Sequence, residues 1–141
     1  MARRRESKLT ESEWSRLTKT AREARKQAYA PYSKYRVGAA LLAENGDVIR
    51  GCNVENASYG LTICAERTAI TSAVVSGHQK FRAIVIASDG GVGPCGACRQ
   101  VLAEFAPAMP VRMVKPTGKG FIERTVEELL PGRFGKENLK G

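Results

Sequence analysis

Apolar positions along this chain change their period several times, and each change marks an element. Trp14, Leu17, Ala21, Ala24 and Ala28 recur at three- and four-residue intervals while Arg16, Lys19, Arg22 and Arg25 take other faces, the spacing of an amphipathic helix. Thr10-Glu11-Ser12-Glu13 reads as its capping box, with Leu9 and Trp14 placed as a hydrophobic staple around it. The helix should end before Pro31, because the residue preceding a proline disfavours helical angles.

Val37 to Ala43 is a run of small apolar residues, followed by Glu44-Asn45-Gly46-Asp47 and then Val48-Ile49. Asn-Gly between two such runs predicts an antiparallel hairpin closed by a type I′ turn. The second strand leaves the sheet through Gly51-Cys52-Asn53-Val54-Glu55-Asn56, where polar side chains appear. From Cys64 to Val75, Ala65, Ala69, Ile70, Ala73 and Val74 fall at helical offsets, and Ser76-Gly77 ends the helix. Phe81 to Ala87 is apolar enough for a strand covered on both faces.

Gly90-Gly91-Val92-Gly93-Pro94 must be loop, and a further helix begins near Cys95 and runs through Val101, Leu102 and Phe105 to Pro107. Val111 to Val114 and Phe121-Ile122 read as strands. The six residues between them are too few for a parallel crossover, so an antiparallel C-terminal hairpin is expected. Thr125-Val126-Glu127-Glu128 repeats the capping-box pattern and predicts a last short helix closed by Pro131-Gly132. The order αββαβαββα makes an α/β fold in which helices cover a mixed five-stranded sheet.

At 141 residues the chain is long enough for one domain with a sizeable core, here 10–141, preceded by a basic arm at 1–9. No run approaches the ~18 apolar residues of a membrane span. Four cysteines without an apolar N-terminal signal stretch point to a reducing, cytoplasmic setting. The net charge of +9 is uneven: residues 1–36 contribute +7 and the remainder +2. A basic tail attracts phosphates, but no aromatic residues interleave with Arg3-Arg4-Arg5 as base stacking would require, so nucleic acid is not the expected partner.

The chemistry gathers at Cys64-Ala65-Glu66 and Pro94-Cys95-Gly96-Ala97-Cys98. Alone, Cys95-x-x-Cys98 is ambiguous between a zinc site and a redox pair. A redox pair has no use for a third thiol with a carboxylate two residues away, and Cys64 with Glu66 supplies both. Three thiolates close three corners of a tetrahedral zinc site and leave the fourth to water, the mark of a catalytic rather than a structural zinc. Both clusters fall at helix N-termini, where free N–H groups and the helix dipole favour thiolate. Such a site is formally −1, and Arg67, one turn beyond Cys64, can donate to a ligand sulfur; Arg99, beside Cys98, is the other candidate. Cys52 reads as a small buried residue. His78, the sole histidine, sits beyond the helix end as a surface residue and not as a ligand.

These motifs resemble the zinc deaminase signature in its all-cysteine form. More narrowly, Tyr32-Ser33-Lys34-Tyr35-Arg36-Val37-Gly38-Ala39-Ala40, Gly51 to Asn56, Cys64 to Ala69, Pro94 to Gln100 and Glu127 to Pro131 resemble the small homotetrameric cytidine deaminases, from about Tyr29 to Phe134. The resemblance implies a three-layer α/β/α fold and one Zn²⁺ per subunit on Cys64, Cys95 and Cys98. It implies Glu66 as the proton shuttle, and Asn53, Glu55, Tyr35 and Ala65 as substrate-binding residues, the first two on the ribose. Tyr59 and Phe134 would contact a neighbouring subunit's site. Members of the family usually carry Phe where Tyr35 stands, a departure that alters the ring pocket.

Three functions follow in order: deamination of free cytidine and 2′-deoxycytidine in pyrimidine salvage; deamination of a related cytosine compound, such as a modified nucleoside, a blasticidin-type antibiotic or RNA; and a non-enzymatic zinc-stabilised module. Asn53 with Glu55 favours the first over an antibiotic, and Glu66 disfavours the third. A 3′-phosphate pressed against Glu55 would be strongly unfavourable, which argues against polymers.

Overall fold

A computed structural model describes residues 8–139. The first helix, α1 (Glu11–Arg25), opens with the expected capping box: Thr10 Oγ1 accepts from Glu13 N at 3.0 Å, and Glu13 Oε1 accepts from Thr10 N at 2.9 Å. Leu9 packs with Trp14 in one apolar cluster. Arg3-Arg4-Arg5 lie outside the described residues. Lys8 is tied down through its carbonyl, which accepts from Arg82 Nη2.

Strands β1 (Val37–Ala43) and β2 (Val48–Cys52) pair antiparallel, with Leu42 opposite Val48 and Gly38 opposite Cys52. Their turn differs from the type I′ expectation. Gly46 N donates to Ala43 O, Ala43 N donates to Asp47 O, and Gly46 alone takes a positive φ, +100°. This is a type I turn followed by a left-handed glycine. Asn45 Oδ1 accepts from Asp47 N at 3.0 Å, a local bond that holds Asn45 at negative φ and selects the longer loop.

Helix α2 (Ala65–Val75) leads to β3 (Phe81–Ser88), and α3 (Gly96–Phe105) leads to β4 (Pro110–Val114). Strand β5 (Phe121–Thr125) returns antiparallel to β4, as the short link requires. The sheet order is β2-β1-β3-β4-β5, with β3 and β4 parallel and the other pairs antiparallel.

Alternation along β1 and β3 divides the core in two. Ala39, Leu41, Ile84 and Ile86 face α2 and α3, while Ala40, Leu42, Ala83, Val85 and Ala87 face Trp14, Leu17 and Ala21 of α1. A three-layer α/β/α sandwich results. Two glycines set how closely the layers approach. A Cβ at Gly38 would overlap the backbone of Ala21 and Arg25 in α1, and one at Gly51 would overlap that of Ala65 and Ala69 in α2.

Three expectations need correction. The last helix is a single turn. Glu128 N reaches Thr125 Oγ1 and Leu129 N reaches Thr125 O, so the capping box forms, but β5 takes up Thr125 and Pro131 stops propagation before a helix can nucleate. Cys52 is half-buried, because it ends the edge strand β2. His78 is also half-buried, its Nε2 3.2 Å from Asp47 Oδ2, at the opposite end of α2 from Cys64.

Candidate active site

Cys64 is the N-cap residue of α2 and Cys95 that of α3, with Cys98 in the first turn of α3. Extended φ, ψ values at both caps turn the chain abruptly into each helix, and the two helix N-termini lie side by side. The path into Cys64 is fixed by short ladders: Val54 exchanges two backbone hydrogen bonds with Ile63, and Tyr29 pairs with the segment from Asn53 to Glu55. The segments bearing Glu55 and Cys64 are thereby neighbours.

The three sulfurs lie within 4.8 Å of one another, Cys64 to Cys95 at 3.8 Å and Cys95 to Cys98 at 3.5 Å. A tetrahedral zinc with sulfur ligands at ~2.3 Å places them about 3.8 Å apart, so the donor set fits one zinc per chain in both type and spacing. Cys98 is buried, Cys64 half-buried and Cys95 exposed, so solvent reaches the cluster from the Cys95 side.

Arg67 Nη2 donates to Cys64 Sγ at 3.6 Å. A hydrogen bond from Cys98, reinforced by Arg67, pulls the Cys64 thiol down to about 5, and the same contact pushes Cys98 up. The cluster thus already favours thiolate at Cys64. Glu66 is 4% exposed, with Oε1 3.9 Å from Cys98 Sγ. Burial, with the Cys64 charge adding, raises its carboxyl to about 7.

The match of residues 11–113 to a family model described as the cytidine and deoxycytidylate deaminase zinc-binding region decides what this constellation is. The chain belongs to the cytidine and deoxycytidylate deaminase family. It is 52% identical over 127 residues to the cytidine deaminase of Sporosarcina psychrophila, covering 88% of this chain and 93% of that one. To the cytidine deaminase of Halalkalibacterium halodurans it is 51% identical over 125 residues, 87% of this chain and 95% of the relative. The crystal structure of the Burkholderia pseudomallei cytidine deaminase, 44% identical, superimposes with a TM-score of 0.82 over 89% of this chain and all of that one.

In this family member the other sequence-derived candidates fall in different places. Asn53 and Glu55 are both buried, and each is engaged with the loop before β1. Asn53 Oδ1 accepts from Val37 N at 2.9 Å and its Nδ2 donates to Tyr35 O at 2.8 Å. Glu55 Oε1 accepts from the N–H groups of Tyr32 and Ser33, and Ser33 Oγ donates to Glu55 Oε2. These bonds, the serine hydroxyl first, hold the Glu55 carboxyl below its ordinary range.

Tyr35 is exposed, with its Oη accepting from Gly90 N at 3.4 Å. Ala65 is fully buried behind the cluster. Arg99 does not serve the sulfurs. Its Nε donates to Pro94 O at 2.7 Å and its Nη1 to Leu129 O at 2.8 Å, because it follows Cys98 by one residue and so points around the helix from it. Tyr59 stands 64% exposed, edge-on to Tyr32, and Phe134, 59% exposed, is held at its carbonyl by Gln100 Nε2. Ser33, Thr68 and Gln100 fall within the resembling motifs but received no role from the sequence, where each looks like an ordinary polar residue. Thr68 Oγ1 accepts from Cys52 N and reaches Cys52 O, fastening α2 to the strand that leads to Asn53.

Proposed function

We propose that this chain catalyses the zinc-dependent hydrolytic deamination of cytidine and 2′-deoxycytidine, consuming water and yielding ammonia with uridine or 2′-deoxyuridine. The observation that carries the reading is the buried Glu66 carboxylate beside three thiols at zinc-ligand spacing. Zinc bound there supplies a Lewis acid that makes water nucleophilic at neutral pH. Cys64, Cys95 and Cys98 hold it, and Arg67 offsets part of the thiolate charge.

Glu66 accepts a proton from the attacking water and delivers it to ring N3, then takes the proton of the new C4 hydroxyl, which becomes the carbonyl, and delivers it to the departing amino group. Its burial and its place beside the cluster suit a group that must both take and give a proton there. Ala65 backs the base, Tyr35 lines the ring, and Asn53 and Glu55 hold the sugar. A free nucleoside is favoured over a polymer, since a 3′-phosphate would meet the Glu55 carboxylate.

The working unit in this reading is a homotetramer of 10–141 domains, each preceded by a basic arm at 1–9, with Tyr59 and Phe134 reaching a neighbour's site. Its setting is cytoplasmic and its role pyrimidine salvage, supported by free thiols that a reducing compartment keeps competent for metal. No helix among the described residues is long and apolar enough to cross a membrane.

The test is product formation from cytidine, 2′-deoxycytidine and a cytosine-containing single-stranded oligonucleotide side by side, with zinc measured on the same sample. Turnover of the two nucleosides alone is expected. Turnover of the oligonucleotide, or of none of the three with zinc bound, would overturn the assignment.

A further inference from the structure

Ser33 is an exposed residue in the loop between α1 and β1, where no apolar packing depends on it. Its hydroxyl and its N–H are nonetheless committed. Oγ donates to Glu55 Oε2 and accepts from Tyr35 N at 3.0 Å, and its N–H donates to Glu55 Oε1 at 3.1 Å, beside that of Tyr32 at 3.0 Å. The next residue, Lys34, is the one non-glycine residue at positive φ among those described, at 62°. A lysine takes that left-handed conformation where its surroundings impose it, and the Ser33 bonds on either side do so.

Counting acceptor sites gives the knot a consequence. A carboxylate offers about four lone-pair positions. Two on Oε1 take backbone N–H groups and one on Oε2 takes the serine hydroxyl, leaving one on Oε2. Asn53 is likewise committed to Val37 N and Tyr35 O, which leaves one amide hydrogen and one lone pair on Oδ1. The Glu55 carboxylate thus keeps one acceptor site, and Asn53 one donor and one acceptor.

We propose that Ser33 is a positioning residue: its hydroxyl locks the Glu55 carboxylate in the orientation that presents this last acceptor to a substrate sugar hydroxyl. The proposal rests on the reading of Asn53 and Glu55 as the sugar-binding pair. The low pKa of Glu55 agrees with it, because all three donors favour the ionised form. Without Ser33 Oγ the carboxylate keeps its charge but loses the bond that fixes Oε2, so the damage should fall on binding and not on the proton transfers at Glu66.

The experiment compares wild type, Ser33→Ala and Ser33→Thr with cytidine and with 2′,3′-dideoxycytidine, which lacks both sugar hydroxyls of the ring edge, with Tm and zinc content measured on each. Ser33→Ala should raise KM for cytidine about tenfold, the size of a lost bond to a charged group, with kcat within about twofold. Its kcat/KM for dideoxycytidine should match wild type, and Ser33→Thr, which restores the hydroxyl, should recover KM for cytidine. Equal losses on both nucleosides would mean that the serine only supports the loop. No loss on either, or no recovery with threonine, would overturn the proposal as well. A wild-type enzyme that treats the two nucleosides alike would remove the sugar contact itself, whereas a wild-type preference for cytidine untouched by Ser33→Ala would sink the Ser33 role alone.

Discussion

Glu66 shows how burial makes chemistry at the scale of one residue. At 4% exposure its charged form has lost most of its water, and an ordinary structural carboxylate in that position would have a cation facing it directly. Glu66 instead faces a sulfur, Cys98 Sγ, while the nearby Arg67 donates to Cys64. Glu66→Gln keeps the shape and the three thiols, so bound zinc should stay near one per chain while kcat falls by a factor of about 10² to 10⁴, the range for removing a general acid–base. Metal analysis beside steady-state kinetics checks both halves, and surviving turnover would remove the shuttle from Glu66. The sequence offered Arg67 first and Arg99 second as sulfur donors. Packing separates them, since Arg67 lies three residues after Cys64 on the same helix face, while the carbonyls of Pro94 and Leu129 claim Arg99.

At the scale of elements, the site depends on how closely α2 can lie on β2. Gly51 provides that approach, and Thr68 fastens the contact at Cys52. In Gly51→Ala the new methyl would press on the backbone of Ala65 and Ala69, the helix turn that carries Glu66. Overpacking of this kind costs ~1–3 kcal/mol or more, so Tm should fall and turnover should fall with it, measured by thermal unfolding and assay of the same preparation. The α1 capping box offers a pH-dependent check. Its bond to Thr10 N, with Arg82 adding, lowers the Glu13 pKa below 4.5. That contribution is therefore fully present above pH 4.5 and is lost as pH falls through the lower folded-state value. Glu13→Gln should cost roughly 0.5–1 kcal/mol at pH 7 by the usual worth of a cap, with the gap to wild type closing below pH ~4 in denaturant titrations. A constant gap across that range would show that the charge of Glu13 contributes nothing.

For the whole molecule, the feature that a single chain leaves unexplained is a band of exposed apolar and aromatic residues on the segments before Cys64 and the loop before β1. Tyr29, Tyr32, Val54, Tyr59, Leu61 and Ile63 are all more than 40% exposed, on the same paired segments that lead into Cys64. A contiguous apolar surface of this kind marks an interaction face. In the proposed homotetramer these residues are covered, and light scattering should give four times the 15.3 kDa chain mass. Phe134→Ala, which removes an exposed ring without touching either core cluster, should raise KM for cytidine in the assembled enzyme. A monomer with wild-type KM would exclude shared sites.

Much of this architecture was written locally. The capping boxes, the alternation of β1 and β3, the glycine and proline stops and the two cysteine clusters at helix starts are interactions among residues a few positions apart, so pattern alone determined the elements, their pairing at the two hairpins and the zinc-ligand trio. What required the tertiary structure is what depends on residues distant in the chain or on competition between local signals. Asn45 overrode the type I′ expectation through a single side-chain bond, and Pro131 cut the final helix to one turn. The convergence of three sulfurs to within 4.8 Å of one another exists only because α2 and α3 start side by side in the fold. The binding of Glu55 to Ser33, 22 positions earlier, likewise arises only when the loop before β1 folds over the end of β2, because a hydroxyl and a carboxylate carry no periodic signal by which pattern could pair them.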